Sequence, residues 1–188
     1  MAGLKLNRNF LLRFPATSPS TETLIITLAN PNRENLRKMY TTKRTNSDNL
    51  DFQKLVFELD KDLAFKNGET NDFFAKYNKI DLIKNVVVVY EADQAVGCGA
   101  IKEYEDGIME IKRMFVQTEK RGKGIAGKIL AELQIWAKEL GYRKCVLETG
   151  DKMVEAIGLY KKNNFVIIPN YGQYTHIESS ICFEKEIQ

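Results

Sequence analysis

Hydrophobic and polar positions follow two different rhythms, and the change comes near residue 85. Before it the spacing is mainly helical. TLIITLA, Thr23 to Ala29, is a short β-rich run. Asn30-Pro31 then reads as a helix start, with Asn capping and Pro at the first helical position, and the helix is expected to run through Leu36, Met39 and Tyr40. Phe52, Leu55, Val56, Leu59 and Leu63 recur every three or four residues, which predicts a second amphipathic helix stopping near Asn67-Gly68. A short further piece is expected around Asp72 to Tyr77.

After residue 85 the pattern becomes strand-like. VVVVYEA (Val86 to Ala92), AVGCGAIKEY (Ala95 to Tyr104) and IMEIKRMFV (Ile108 to Val116) are divided only by Asp93-Gln94 and Asp106-Gly107. Turns that short force antiparallel pairing. Beyond Gly122 a long helix follows, its apolar face made by Ile125, Ile129, Leu130, Leu133, Trp136 and Leu140, with Gly141 just past its end. Arg143 to Thr149 is a strand, Val154 to Asn163 a helix, and Phe165 to Ile168 and Glu178 to Lys185 are strands. The order β-α-α-β-β-β-α-β-α-β-β predicts one mixed α/β (α+β) domain.

At 188 residues, 44% apolar and 28% charged, the chain has the composition of a globular protein. It has no run near the roughly 20 apolar residues that a membrane-spanning helix needs. Residues 1–21 hold Lys5, Arg8 and Arg13 and no acid, which accounts for the whole net charge of +3. This basic, Ser/Thr-containing segment has something of an organelle transit peptide. The plainer reading is a poorly ordered extension, so the domain is expected to occupy 22–188. The rest of the chain is neutral, which argues against nucleic-acid binding. Cys98, Cys145 and Cys182 sit in apolar strand-like settings without metal-knuckle spacing. Free core thiols in a reducing, cytoplasmic compartment are expected, with no metal.

The candidate chemistry centres on RGKGIAGKIL, Arg121 to Leu130, between a strand and a helix. Glycines allow close backbone approach, the first helical amides lack internal partners, and the macrodipole adds about half a positive charge there. Lys120, Arg121, Lys123 and Lys128 reinforce this site against Glu119 alone, so a diphosphate suits it. Three motifs overlap. Gly122-x-x-x-x-Gly127-Lys128 matches a Walker A loop, but Ile129 stands where a Mg²⁺-binding hydroxyl belongs. Gly122-x-Gly124-x-x-Gly127 matches a dinucleotide fingerprint, with Glu148 some 26 residues on as a ribose acid. Against it, five residues, Gln117 to Arg121, separate the strand from the fingerprint, and Glu110, Lys112 and Arg113 interrupt what should be a buried parallel strand.

The third match is Arg121-x-x-Gly124-x-Ala126. It resembles the Q/R-x-x-G-x-G/A signature of the GNAT acetyltransferases, and AIGLYKKNNF (Ala156 to Phe165) is similar to that family's A-I-x-L-Y-x-x-x-G-F segment. The resemblance covers roughly Val86 to Phe165. It implies a mostly antiparallel sheet flanked by helices, with a splay between two central parallel strands. It further implies acetyl-CoA as co-substrate, its pyrophosphate on Arg121, Gly122, Lys123, Gly124, Ile125, Ala126, Gly127 and Lys128, and its pantetheine arm on the backbone of Met114, Phe115 and Val116. Dimers are common in the superfamily, so a homodimer is compatible with it. Two departures stand out: Met153 replaces an Asn that contacts the pantetheine arm, and Asn164 replaces the Gly before Phe165.

The implied reaction moves an acetyl group to a primary amine by direct attack. A lysine-like amine costs about 4 to 5 kcal/mol to deprotonate at pH 7, so a carboxylate should take the proton. Glu110, mid-strand and 11 residues before Arg121, matches the catalytic glutamate of some members. Tyr160 matches the family's general-acid tyrosine, which would protonate the leaving thiolate. Lys112 and Arg113 are candidates for attracting an acidic group on the acceptor, while His176 and Trp136 read as loop and core residues. The acceptor is expected to be selected by the Pro31–Tyr77 helices and the Tyr171–His176 loop. A module that binds CoA without catalysis is the alternative within this fold.

Overall fold

The computed structural model describes residues 39–67, 80 and 83–187. The expected strand at Thr23–Ala29, the start of the helix from Pro31, the piece at Asp72–Tyr77 and the boundary at residue 22 lie outside the described residues.

One expectation is corrected at the first described positions. Tyr40 does not extend a helix but opens strand β1, Tyr40–Thr45. The β-branched threonines of YTTKRT suit a strand, and pairing with β2, Asn85–Glu91, from Tyr40↔Glu91 to Thr45↔Val86 decides the conformation. Between them lies α1, Leu50–Asn67. The Asn49 side chain accepts from the Phe52 amide at 2.9 Å, which caps the helix.

Strands β2, β3 (Gln94–Glu105) and β4 (Ile108–Val116) form the expected antiparallel meander. Helix α2, Ile125–Glu139, follows, and Gly141 at φ +90° comes just after its end. Then come β5 (Lys144–Gly150), α3 (Val154–Lys162), β6 (Val166–Ile168) and β7 (Ser180–Glu186). Asn164 has φ +64°, so it adopts the left-handed backbone that Gly would supply. The seven strands lie in the order β1-β2-β3-β4-β5-β7-β6, and only β4–β5 is parallel.

Each face of the sheet has its own core. On one, α1 sets Phe52, Leu55, Val56 and Leu59 against Val86, Val88, Cys98, Ala100 and Phe115. On the other, Ile125, Ile129, Leu130, Leu133 and Ala137 of α2 meet Val87, Val96, Ile111 and Leu147, with Tyr160 of α3 in the same cluster. Helix α2 lies so close that a Cβ on Gly99 would fall 2.6 Å from Met114 Sδ and 2.7 Å from Ile129 Cγ2. The three cysteines are free and buried. Burial pushes the Cys145 thiol up to about 12 and the Cys98 thiol further, which keeps both as core groups.

Candidate active site

The site begins where the parallel pair ends. Strands β4 and β5 pair only at Ile108↔Lys144, Met109↔Cys145 and Glu110↔Val146. Beyond these, β4 from Ile111 to Val116 stays paired with β3 and β5 from Leu147 to Gly150 with β7, but not with each other, so the two strands splay. A cleft of about 670 Å³ fills the gap, lined by Ile111 to Val116 on one wall and Glu148 to Met153 on the other. Leu59, Asp62 and Leu63 of α1 and Tyr160 of α3 also line it. The splay leaves one edge of β4 bare, and a bare edge presents unpaired N–H and C=O groups to whatever lies alongside.

A bulge re-aims β4 midway. Gly99 of β3 faces both Arg113 and Met114, because the register steps from Ala100↔Lys112 to Cys98↔Phe115. Arg113 takes φ +57°, and Lys112 and Arg113 consequently share a face. The Arg113 side chain is buried and donates to both oxygens of Asp60 on α1, at 2.8 and 2.9 Å.

One end of the cleft is built from backbone. A 3-10 turn, Thr118–Lys120, leads into Gly122 (φ +75°) and Gly124 (φ +80°), conformations that favour glycine. A Cβ on Gly122 would meet nothing within 4 Å, so its backbone rather than its size matters. Lys128 is the first residue of α2 whose amide reaches a helical partner, Gly124 O at 3.1 Å, and the preceding amides stay available to an anion. Arg121 donates from Nε to Val116 O at 3.0 Å and pairs with Asp62 at 3.2 Å. Arg121, Gly122, Gly124, Ile125, Ala126 and Gly127 line the cleft, as do Met114, Phe115 and Val116. Lys123 and Lys128 are outside that lining, and the Lys128 ammonium donates to the carbonyl of Tyr40 instead.

The other end is built from side chains. Glu110 is buried, accepts from Lys112 Nζ at 3.1 Å on Oε2 and from the Tyr171 hydroxyl at 3.2 Å on Oε1. Lys112 lines the cleft, and Glu110 meets it through Lys112. Tyr160 is buried against the rings of Phe165 and Phe183. Burial first and the Glu148 charge second push its phenol well above the usual value, so it stays protonated and can donate. Tyr171 and Tyr174 are raised for the same reasons, with Glu110 as the nearby charge. His176 is exposed, and Trp136 is half-buried under the Arg44 guanidinium.

Glu148 is the residue that sequence reasoning undervalued. It lines the cleft and accepts from Ser180 Oγ at 2.6 Å, whereas the sequence marks it only as a candidate ribose acid. The available signal was an acid in an otherwise apolar strand, KCVLETG. The dinucleotide reading itself falls, because the glycine turn follows an antiparallel meander instead of a βαβ unit.

Known proteins agree with this geometry. The family description "Acetyltransferase (GNAT) domain" matches residues 83–167. An IAA acetyltransferase of Azospirillum brasilense is 35% identical over 102 residues, spanning 54% of this chain and 67% of the relative. Among solved structures, a Klebsiella pneumoniae protein assigned to the acyl-CoA N-acyltransferases aligns with 25% identity and a TM-score of 0.67, over 80% of this chain and 99% of that one. A GNAT family acetyltransferase from Elizabethkingia anophelis, solved with acetyl-CoA bound, shares the fold at 20% identity and a TM-score of 0.58, over 80% and 99%.

Proposed function

The chain belongs to the GNAT acetyltransferase family, and from that premise we propose that it transfers an acetyl group from acetyl-CoA to a primary amine of a small molecule or protein. The observation that carries this is the β4–β5 splay opening onto the amino end of α2. The cradle fits a diphosphate: its amides lack helical partners and Arg121 stands beside them. The bare edge of β4 at Met114, Phe115 and Val116 fits an amide-bearing arm laid along it like an added strand. Acetyl-CoA, when bound, supplies an activated thioester.

The chain's own groups do the rest. Backbone amides on the splayed part of β4 are proposed to face the thioester oxygen as it gains charge. Tyr160, held protonated by burial, is proposed to donate to the departing sulfur. The acceptor ammonium must lose a proton to the acidic wall of the cleft. Glu110 is the base nominated by its place on β4, and Lys112 and Tyr171 hold its two oxygens. The acetyltransferase domain is proposed to extend from 22 to 188.

Parallel thermal melts with acetyl-CoA, CoA, NAD and ATP test the reading. Acetyl-CoA at about 100 times its Kd should raise the melting temperature by roughly 5 to 10 °C, and an amine panel should release CoA thiol. Stabilisation by NAD alone would overturn it. Acetyl-CoA binding without turnover of any amine would favour a non-catalytic module.

A further inference from the structure

The acidic wall holds a second carboxylate, and the two are held differently. Cys145 and Leu147 belong to the same core cluster as Met109 and Ile111. Side chains alternate along a strand, so Glu110 and Glu148 both point from the opposite face of the sheet. Glu148 stands two residues past Val146, where pairing with β4 has ended. It therefore borders the cleft directly, whereas Glu110 sits at the last paired position.

Their partners separate their roles. Glu110 is in an ion pair with Lys112 and takes a phenolic hydrogen bond as well. The charge of Arg113 is answered by Asp60. Glu148 has Ser180 on Oε1, and among the described residues no lysine or arginine forms an ion pair with it. Asp151 and Glu155 also line the cleft but are exposed, so with those two cations neutralised Glu148 is the recessed carboxylate left without an ion pair, and a cationic amine is drawn there. Both oxygens of Glu110 are already engaged, Oε2 by Lys112 and Oε1 by Tyr171.

We propose that Glu148 is a further catalytic residue, the carboxylate that meets the acceptor's ammonium and removes its proton. One N–H bond of the ammonium breaks, the proton passes to Glu148 Oε2, and the electron pair stays on nitrogen for attack on the acetyl carbon. The role rests on the acetyltransferase reading and moves first contact with that proton from Glu110 to Glu148. Electrostatics agree with the geometry. Burial raises the Glu148 carboxyl above its ordinary value, Ser180 and Lys112 oppose the rise, and Glu110 adds to it. The charge of Glu148 is felt in turn by Tyr160 on α3, Tyr174 in the loop and Cys182 on β7. A raised carboxyl is better matched to accepting a proton near neutral pH.

The test uses the full chain, acetyl-CoA and the alkylamine from the panel that the wild type acetylates fastest, with kcat/KM followed from pH 5.5 to 9.5 (about four decades of acidity, enough to span a raised carboxyl). Glu148→Gln should lose about 100-fold at pH 7 and recover as the pH approaches the amine's own pKa. Its acetyl-CoA affinity should stay unchanged. Glu148→Asp should keep more activity than Glu148→Gln, and Ser180→Ala should move the acid limb of the profile upward. Glu148→Gln within threefold of wild type across the range would overturn the role, as would an acid limb that survives in it but disappears in Glu110→Gln. A wild type that acetylates no amine overturns the acetyltransferase reading, and the role of Glu148 with it.

Discussion

The two ends of the cleft solve their binding problems with different materials. At the cradle, the groups proposed to bind are mainly backbone: two glycines at positive φ, the opening amides of α2 and one arginine, all between residues 121 and 128. At the end proposed for the acceptor they are side chains gathered across the chain, with Glu110 from β4, Glu148 from β5, Tyr160 from α3, Tyr171 from the loop and Ser180 from β7. A backbone site binds a constant group and, Arg121 apart, tolerates substitution at its non-glycine positions. A side-chain site is where selectivity and proton chemistry can change without altering the fold.

The sharpest way to break the comparison is to damage one end and read the other. Tyr160→Phe removes the proposed acid and leaves the cradle alone. Its kcat should fall about 100-fold while calorimetry finds acetyl-CoA affinity unchanged. A matching loss of affinity would mean that the two ends are not separate.

Arg121→Ala probes the opposite end with a smaller effect. A hydrogen bond from a charged group is worth about 1.5 to 3 kcal/mol, so the Kd for acetyl-CoA should rise roughly 10- to 100-fold, with kcat nearly retained at saturation. The loss should shrink at high salt, where the wild type is itself weakened.

The smallest effect concerns stability. Because the folded pKa of Glu148 is raised, the fold favours its protonated form, and that advantage is lost as pH rises through the carboxylate range toward the folded pKa. At pH 7 the buried charge therefore weakens the fold, so Glu148→Gln should melt about 1 to 3 °C higher. The gap should close in acid. A lower melting temperature at pH 7 would mean that the carboxylate's bond to Ser180 outweighs its burial.

What the sequence revealed follows the same division. The meander, α2 and the cradle are contiguous, and hydrophobic rhythm with glycine spacing locates them. Strand β1 escaped because YTTKRT carries no apolar alternation and depends on β2 for its conformation. Glu148 escaped because its meaning depends on partners 32 and more residues away, Ser180 among them. Lys128 looked like an anion ligand from its place beside the glycines, yet the start of β1 offers its ammonium a carbonyl at Tyr40. Linear proximity locates a backbone site well and a side-chain site poorly.

The bulge at Arg113 has one more effect, on counting. Ahead of it the even-numbered residues of β4, Glu110 and Lys112, face away from α2; past it the odd-numbered Phe115 does, while Met114 turns back toward Ile129 and Leu133. The strand has changed parity. Straightening the bulge with every residue kept would exchange the two faces from Met114 to Val116, whereas deleting Arg113 would restore simple alternation and leave those three residues on their present faces. The interval of 11 residues from Glu110 to Arg121 thus holds one residue more than plain alternation needs, and it is the bulge that keeps the later faces in place.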